Sequence, residues 1–138
     1  MSNPEKESRP RALIVAVQLD SVSDVEFESS LAELGDLAKT LGMEVVGQFT
    51  QRRSAFDSTA YMGVGKRDEI RQFIQGHQAS VDELTQANAH ETGEAIAFVL
   101  VDHEISPSPA LNLEHAVGCA LIARTVVILE LFHRNARS

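Results

Sequence analysis

The feature that most constrains the fold is a series of short apolar runs separated by stretches long enough to be helices. Two runs, Arg11–Leu19 (RALIVAVQL) and residues 95–102 (AIAFVLVD), are almost continuously apolar and have the length of a strand. Such strands are buried on both faces, as in a parallel sheet covered by helices. Residues 43–51 and 119–123 are predicted as two further strands.

The stretches between the strands carry helix signals. Ser23 precedes Glu26 by three residues, which is the spacing of a capping box, and Gly42 is a typical helix stop. Further helices are predicted over residues 66–77, over a short segment at 80–83, from Ser106-Pro107 to Gly118, and from a cap at Thr125 to the end of the sequence.

Strands that alternate with helices are joined by crossover connections and form a parallel sheet. We therefore predict an α/β fold: a small four-stranded parallel sheet with helices on both faces. The 138 residues suit a single domain, with residues 1–10 as a disordered tail and residues 11–138 as the folded part.

Composition narrows the function classes. The net charge of −8 argues against a dedicated nucleic-acid binder, although a local basic patch remains compatible with it. The sequence has no apolar run of membrane-spanning length, its first residues do not resemble a signal peptide, and Cys119 is its single cysteine. These features predict a cytoplasmic protein without a membrane role.

The stretch TAYMGVGKRDEI, residues 59–70, looks like a phosphate-binding loop but matches neither common motif. The triphosphate loop needs a glycine where Ala60 stands and a hydroxyl where Arg67 stands. The dinucleotide motif needs a glycine where Asp68 stands.

Two interpretations of this stretch stay open. Lys66 at a helix start would attract an anion, since the free N–H groups there carry partial positive charge. Asp68 and Glu69, placed in the same first turn by the predicted boundary, would repel it. The alternative is that Gly63 and Gly65 only make a tight turn into a helix.

Three stretches together resemble the amino-terminal domain of HflX-type GTPases. QRRSAFDSTAYMGVGKRDEI is similar to the family's Q-x-R-x-x-x-D segment followed by Y-x-G-x-G-K. VDHEISPSPALNLEHAVG resembles F-D-D-E-L-S-P-x-Q-x-R-N-L-E, and ARTVVILELFHRNARS resembles D-R-T-x-x-I-L-D-I-F-x-x-R-A-R-[ST]. The resemblance covers the sequence from Arg11 onward and keeps the order of the motifs.

The resemblance implies a role at the large ribosomal subunit, whose RNA the amino-terminal region of family members contacts. It also implies a nucleotide as an alternative ligand, since an ATP-linked activity is associated with that region. The triphosphate loop, the D-x-x-G switch and the N-K-x-D motif of the GTPase domain do not occur in the 138 residues. We therefore predict a non-catalytic domain without intrinsic GTPase activity, and a weak ATPase is the enzyme alternative.

Several positions depart from the family pattern and remove polar or basic groups that could contact RNA. Residues 80–93 resemble an insertion, which with the substitutions favours a divergent relative over a simple fragment. The substituted positions are Val64, Pro109, Ala110, Leu111, Ala123 and Asn135.

Ligands of parallel sheets bind beyond the carboxyl ends of the strands. Arginine forks there could hold phosphate, and a tyrosine could stack on a base. The candidate ligand or RNA-binding residues are Arg52, Arg53, Tyr61, Gly63, Gly65, Lys66, Arg67 and Asp102. The alternative is an ordinary solvated loop. No catalytic residue or metal site is predicted, because Asp102, His103 and Glu104 cannot all point one way on an extended chain.

The last predicted helix is too apolar for a free helix end, which predicts self-association into a homodimer. The interface candidates are Val127, Ile128, Leu131 and Phe132. A self-associating interaction module is therefore the alternative to RNA binding.

Overall fold

A computed structural model describes residues 9–84 and 95–137. Strands and helices alternate along this part of the chain. In order, they are β1 (Arg11–Leu19), α1 (Asp24–Thr40), β2 (Glu44–Arg53), α2 (Val64–Leu84), β3 (Ile96–Val101), α3 (Pro107–Val117), β4 (Ala120–Ala123) and α4 (Arg124–Arg137).

The four strands form one sheet in the order β2-β1-β3-β4, and all neighbouring pairs are parallel. β1 is central, which explains why its sequence is almost continuously apolar. The predicted α/β fold is confirmed, with helices on both faces of the sheet.

The two faces of the sheet have separate cores. Side chains of β1 alternate between them because successive residues of a strand point to opposite sides. The α2/α3 face includes Leu13, Val15, Val17, Ile70, Ile74, Leu113 and Val117. The α1/α4 face includes Ala12, Ile14, Ala16, Phe27, Leu31, Leu34 and Val127.

Three local helix signals are confirmed. Ser23 Oγ accepts a hydrogen bond from the Glu26 N–H at 3.2 Å and donates one to the Glu26 carboxylate at 3.1 Å. Gly42 and Gly118 follow the ends of α1 and α3 with φ of 87° and 75°. A glycine adopts this left-handed conformation without the cost that a Cβ would bring.

Two helix boundaries differ from the predictions. α2 begins at Val64 and continues to Leu84, so residues 80–83 extend this helix and do not form a separate one. α4 begins at Arg124 directly after β4, so Thr125 is an exposed residue of the first turn and not the cap. Short-range capping patterns were misleading in both places: residues 80–83 lie inside a helix that begins at the glycine turn, and α4 begins where β4 ends.

The earlier start of α2 changes the charge of its first turn. The Arg67 N–H donates to the Gly63 carbonyl at 3.1 Å, and the first turn contains no acidic residue. The expectation that Asp68 lies in that turn was wrong.

Most of the predicted tail, residues 1–10, lies outside the described residues, and so does most of the predicted insertion, residues 80–93. No helix in residues 9–84 and 95–137 is long and apolar enough to cross a membrane.

Candidate functional site

The glycine turn is attached to the end of β2 by a side-chain hydrogen bond. Gln51 and Arg53 pair with Val17 and Leu19 of β1, so they point to the α2/α3 face. The Gly63 N–H donates to Gln51 Oε1 at 2.9 Å. A Cβ at Gly63 would lie 2.9 Å from Arg53 Nη1, so a side chain there would displace the ends of the Arg53 and Gln51 side chains.

The turn before Gly63 is closed by Asp57 and Tyr61. Their backbones exchange two hydrogen bonds of 2.9 and 2.8 Å, and Asp57 Oδ2 accepts from the Ala60 N–H at 2.9 Å. The left-handed residue of the turn is Tyr61, with φ of 74°, and not a glycine. A bulky residue in this conformation is strained by about 1–2 kcal/mol, so other contacts must hold it there.

The Tyr61 hydroxyl supplies those contacts. It accepts a hydrogen bond from the buried Val17 N–H at 2.8 Å and lies 2.6 Å from His103 Nδ1. A neutral His103 can accept from this hydroxyl at Nδ1 or donate to it from Nδ1, depending on which ring nitrogen carries the proton. Burial raises the pKa of Tyr61 far above its usual range, against the effect of the Val17 hydrogen bond. Burial also lowers the pKa of His103, although Asp102 opposes the shift.

Tyr61 is only 2% exposed, so its ring offers no face on which a base could stack. The ring packs beside Phe56 and His103, with centroid distances of 5.2 and 5.8 Å. The exposed aromatic residue of this group is Phe56, at 38%.

Asp102 lies on the opposite face of the sheet. Its carboxylate accepts hydrogen bonds from Arg124 Nη1 at 2.6 Å and from Ser30 Oγ at 2.7 Å. Arg124 also pairs with Glu33 of α1. The Asp102 carboxylate is buried and occupied by these partners, so it joins β3 to α1 and α4. It is not available to bind magnesium, which the ATPase alternative requires.

The eight predicted ligand residues therefore do not form one cluster. Arg52 points to the α1/α4 face, where its guanidinium lies 3.6 Å from the Asp24 carboxylate. Asp102 lies on that face too. Arg53, Tyr61 and Gly63 are together on the α2/α3 face.

The remaining three candidates begin α2. Gly65 has open space around its Cα, and Lys66 Nζ makes an ion pair of 3.1 Å with Glu69. Arg67 Nε is buried and finds no acceptor among the described residues. The N–H groups in the first turn of a helix lack intrahelical acceptors. This end of α2 thus combines backbone donors with two cationic side chains.

A cleft of about 300 Å³ opens between the loops that follow β2 and β3. We call it the carboxyl-edge cleft, and its walls include Phe56, Asp57, Tyr61, Glu104, Ile105 and Pro109. Its charged lining residues are the acids Asp57 and Glu104. Within the described part of the chain, no group of three acidic, histidine or cysteine side chains could hold a metal ion.

Most of the elements described above fall within a match to a known protein family. Residues 28–133 match the family model described as "GTP-binding GTPase N-terminal". The chain belongs to this family.

Three curated relatives, each called GTPase HflX, show the same relationship. The chain is 37% identical to the protein of Gluconacetobacter diazotrophicus, 33% to that of Caldanaerobacter subterraneus and 30% to that of Escherichia coli. These alignments cover 94%, 94% and 93% of the chain but 33%, 26% and 25% of the relatives. The chain thus spans a third or less of their length, as an HflX-type amino-terminal domain alone does.

Most of the HflX-type signature has a structural use in this domain. Gln51 holds the Gly63 N–H, Arg53 donates through Nε to the Ala55 carbonyl at 3.0 Å, and Asp57 closes the turn. Tyr61 connects the turn to β1 through its hydroxyl. The signature residues without a comparable tie are Gly65 and Lys66, since Lys66 pairs only within its own helix among the described residues.

Sequence analysis missed the structural role of three other motif residues. Asn112 Nδ2 donates to the Thr59 carbonyl, and Glu114 Oε1 accepts from the Leu121 N–H, both at 2.8 Å. Arg124 binds Asp102. All three residues match the family motifs, which was a signal of their importance. The sequence alone does not show which distant residue each of them contacts.

The predicted interface residues lie on different sides of α4. Val127 is 1% exposed and Leu131 packs on the α1/α4 core, so they face inward. Ile128 is half-buried and Phe132 is 67% exposed. The outward apolar residues are Phe132, Val126 and Leu129, the last two at 48% and 54% exposed.

Proposed function

We propose that this HflX-type domain binds RNA of the large ribosomal subunit through the start of α2, without catalysing a reaction. The observation that carries the proposal is that some residues of the HflX-type signature have structural partners and others do not. Its other polar members are tied into the turn, whereas Gly65 meets open space and Lys66, among the described residues, pairs only with Glu69 of its own helix.

The charge of this region supports the proposal. Between Arg53 and Arg71 the sequence has four basic and three acidic residues, in a chain of net charge −8. The phosphate backbone of RNA binds where positive charge and free N–H groups coincide. The first turn of α2 contains Lys66 and Arg67 and no acid.

The size of the basic region limits the affinity. Arg53, Lys66 and Arg67 are the cationic side chains near the turn on the α2/α3 face, so few phosphates are neutralised. Binding of this kind depends strongly on salt, and each lost phosphate contact lowers the salt slope by about one. We therefore expect modest binding at low salt that weakens steeply as salt is added.

Co-sedimentation with large ribosomal subunits over a salt series tests this function. Lys66→Gln should weaken binding about threefold to tenfold and lower the salt slope. Lys39→Gln is the matched control, because Lys39 is an exposed lysine in the last turn of α1. Arg52→Gln removes a charge on the opposite face and should also have little effect.

Binding that ignores salt, or that Lys66→Gln and Lys39→Gln weaken equally, would contradict the proposed surface. Loss of binding on Arg52→Gln alone would transfer the function to the α1/α4 face.

A second candidate function is self-association through the outer face of α4. The observation that favours it is the exposure of Val126, Leu129 and Phe132 on α4, and Val126 also lines a groove of about 350 Å³. Single exposed apolar residues are common, but a contiguous group marks an interface. Light scattering of the free protein should then report a dimer that Leu129→Glu converts to a monomer. A monomer at high concentration would exclude this candidate.

A further inference from the structure

The carboxyl-edge cleft differs in chemistry from the basic start of α2. We propose that it binds the guanidinium group of an arginine side chain presented by a protein partner. This inference goes beyond the proposed RNA function and does not depend on it, because the two surfaces carry opposite charge.

The charge of the cleft disfavours an anionic ligand. Asp57 and Glu104 line it, and no basic side chain does. Asp57 uses Oδ2 for the Ala60 N–H, which leaves Oδ1 for a ligand, and Glu104 is exposed. Neither carboxylate forms an ion pair with another described residue.

The helix beside the cleft reinforces this charge preference. α3 starts with Pro107, Ser108 and Pro109, so two of the N–H donors that its first turn would offer an anion are missing. The Ser106 side chain makes no cap hydrogen bond, which leaves its hydroxyl oxygen free to accept from a donor. The family pattern has glutamine and arginine where this chain has Pro109 and Leu111. The first substitution removes a polar group from the lining of the cleft, and the second removes a basic group from the same helix.

An aromatic wall completes the site. Phe56 is 38% exposed and its ring is supported by Tyr61 and His103, with centroid distances of 5.2 and 4.9 Å. Burial lowers the pKa of His103, which favours an uncharged imidazole behind the ring. A guanidinium plane stacks on an aromatic face and donates to a carboxylate at the same time. A volume of about 300 Å³ is at the small end of ligand clefts, which suits one side chain.

The ligand is assigned to a peptide side chain because the cleft is open to solvent on a loop edge and too small for an extended segment. Lysine shares the charge but lacks the planar group with its forked donors. Arginine therefore suits a cleft whose lining supplies both an aromatic ring and carboxylates.

An NMR titration of the isotope-labelled 138-residue protein tests the proposal. The probes are acetyl-Gly-Arg-Gly-amide and the same peptide with citrulline, which keeps the shape and lacks the charge. The arginine peptide should shift the amides of Ser58 and Ile105 with a Kd of about 1 mM, as for a single anchored side chain. The citrulline peptide should bind at least about fivefold more weakly.

Glu104→Gln should weaken the arginine peptide about threefold to tenfold, and Phe56→Leu about threefold. Glu28→Gln is the matched control, since Glu28 is an exposed glutamate of α1 outside the cleft. The spectrum of each variant shows that it is folded before the titration begins.

Three results would overturn the proposal: equal shifts with the citrulline peptide, unchanged affinity in Glu104→Gln, or shifts of the same amides by inorganic phosphate. The last would make the cleft an anion site. Glu104→Gln should co-sediment with large ribosomal subunits as strongly as the unaltered protein does. The proposals for the cleft and for the RNA surface are therefore tested separately.

Discussion

The two faces of the sheet use the carboxyl ends of the strands in different ways. On the α1/α4 face, Asp102 and Arg124 form a buried ion pair that joins the helices to the sheet. On the α2/α3 face, Tyr61 and His103 form one hydrogen-bonded chain beside an open cleft. The comparison shows that a polar residue at a strand end is not by itself a sign of ligand binding.

Connection length explains the difference. α4 follows β4 without a loop, so Arg124 lies next to the end of β3 and can reach Asp102. On the other face, residues 54–63 connect β2 to α2 and residues 102–106 connect β3 to α3. These loops hold the helix starts away from the strand ends, and the space between them is the cleft.

The largest expected effect on stability comes from breaking the buried ion pair on the α1/α4 face. Asp102→Ala removes the buried carboxylate that Arg124 and Ser30 share and leaves Arg124 with the exposed Glu33 alone, so it should reduce the free energy of unfolding by about 3 kcal/mol. Denaturant titration measures this. Asp36→Ala on the exposed side of α1 should change stability by less than about 0.5 kcal/mol. Equal effects of the two variants would mean that the buried pair holds nothing together.

The second largest effect on stability concerns the Tyr61 hydroxyl on the α2/α3 face. Tyr61→Phe leaves the buried Val17 N–H without an acceptor and should cost about 2 kcal/mol in the free energy of unfolding. Thr40→Val is the control, since the Thr40 hydroxyl bonds the Asp36 carbonyl at an exposed helix end. If both substitutions cost the same small amount, the hydroxyl does not hold the left-handed conformation of Tyr61.

The two turn glycines should respond with opposite sign. Gly63→Ala places a Cβ against Arg53 and Gln51 and should cost about 1 kcal/mol. Gly65→Ala meets open space within α2 and should gain about 0.5–1 kcal/mol, because alanine favours the helix. Thermal unfolding of both variants measures the difference. A gain at both positions would show that the turn can open to accommodate a side chain.

The smallest effect is a dependence of the free energy of unfolding on pH, through His103 on the α2/α3 face. Burial lowers the pKa of His103 below its ordinary value of 6.5, so the unfolded chain binds more protons between the two values. Its stabilising contribution is complete above pH 6.5 and is lost as the pH falls toward the lower, folded value. His103→Gln should flatten the stability profile in this window.

His115→Gln, which replaces an exposed histidine of α3, serves as the control for that profile. A profile that His103→Gln leaves unchanged would mean that His103 titrates alike in both states.

Predictions from sequence were reliable for continuous apolar runs and for the end signals of α1 and α3, but not for the capping patterns at residues 80–83 and Thr125. The run Arg11–Leu19 coincides with β1, and the Ser23 cap and the Gly118 stop are where their patterns put them. The candidate site was less predictable. Eight residues were expected near one ligand, but Arg52 and Arg53 are neighbours that point to opposite faces.

The sequence by itself determined the parallel α/β fold, the family and the absence of GTPase motifs from these residues, because apolar period, caps and motifs are read along the chain. The tertiary structure alone decided which polar groups are occupied. Asp102 finds its partners 22 and 72 residues away, and Tyr61 meets His103 at a separation of 42. Such pairs depend on strand order and on the face to which each residue points. Only the assembled sheet therefore separates the closed edge from the open cleft.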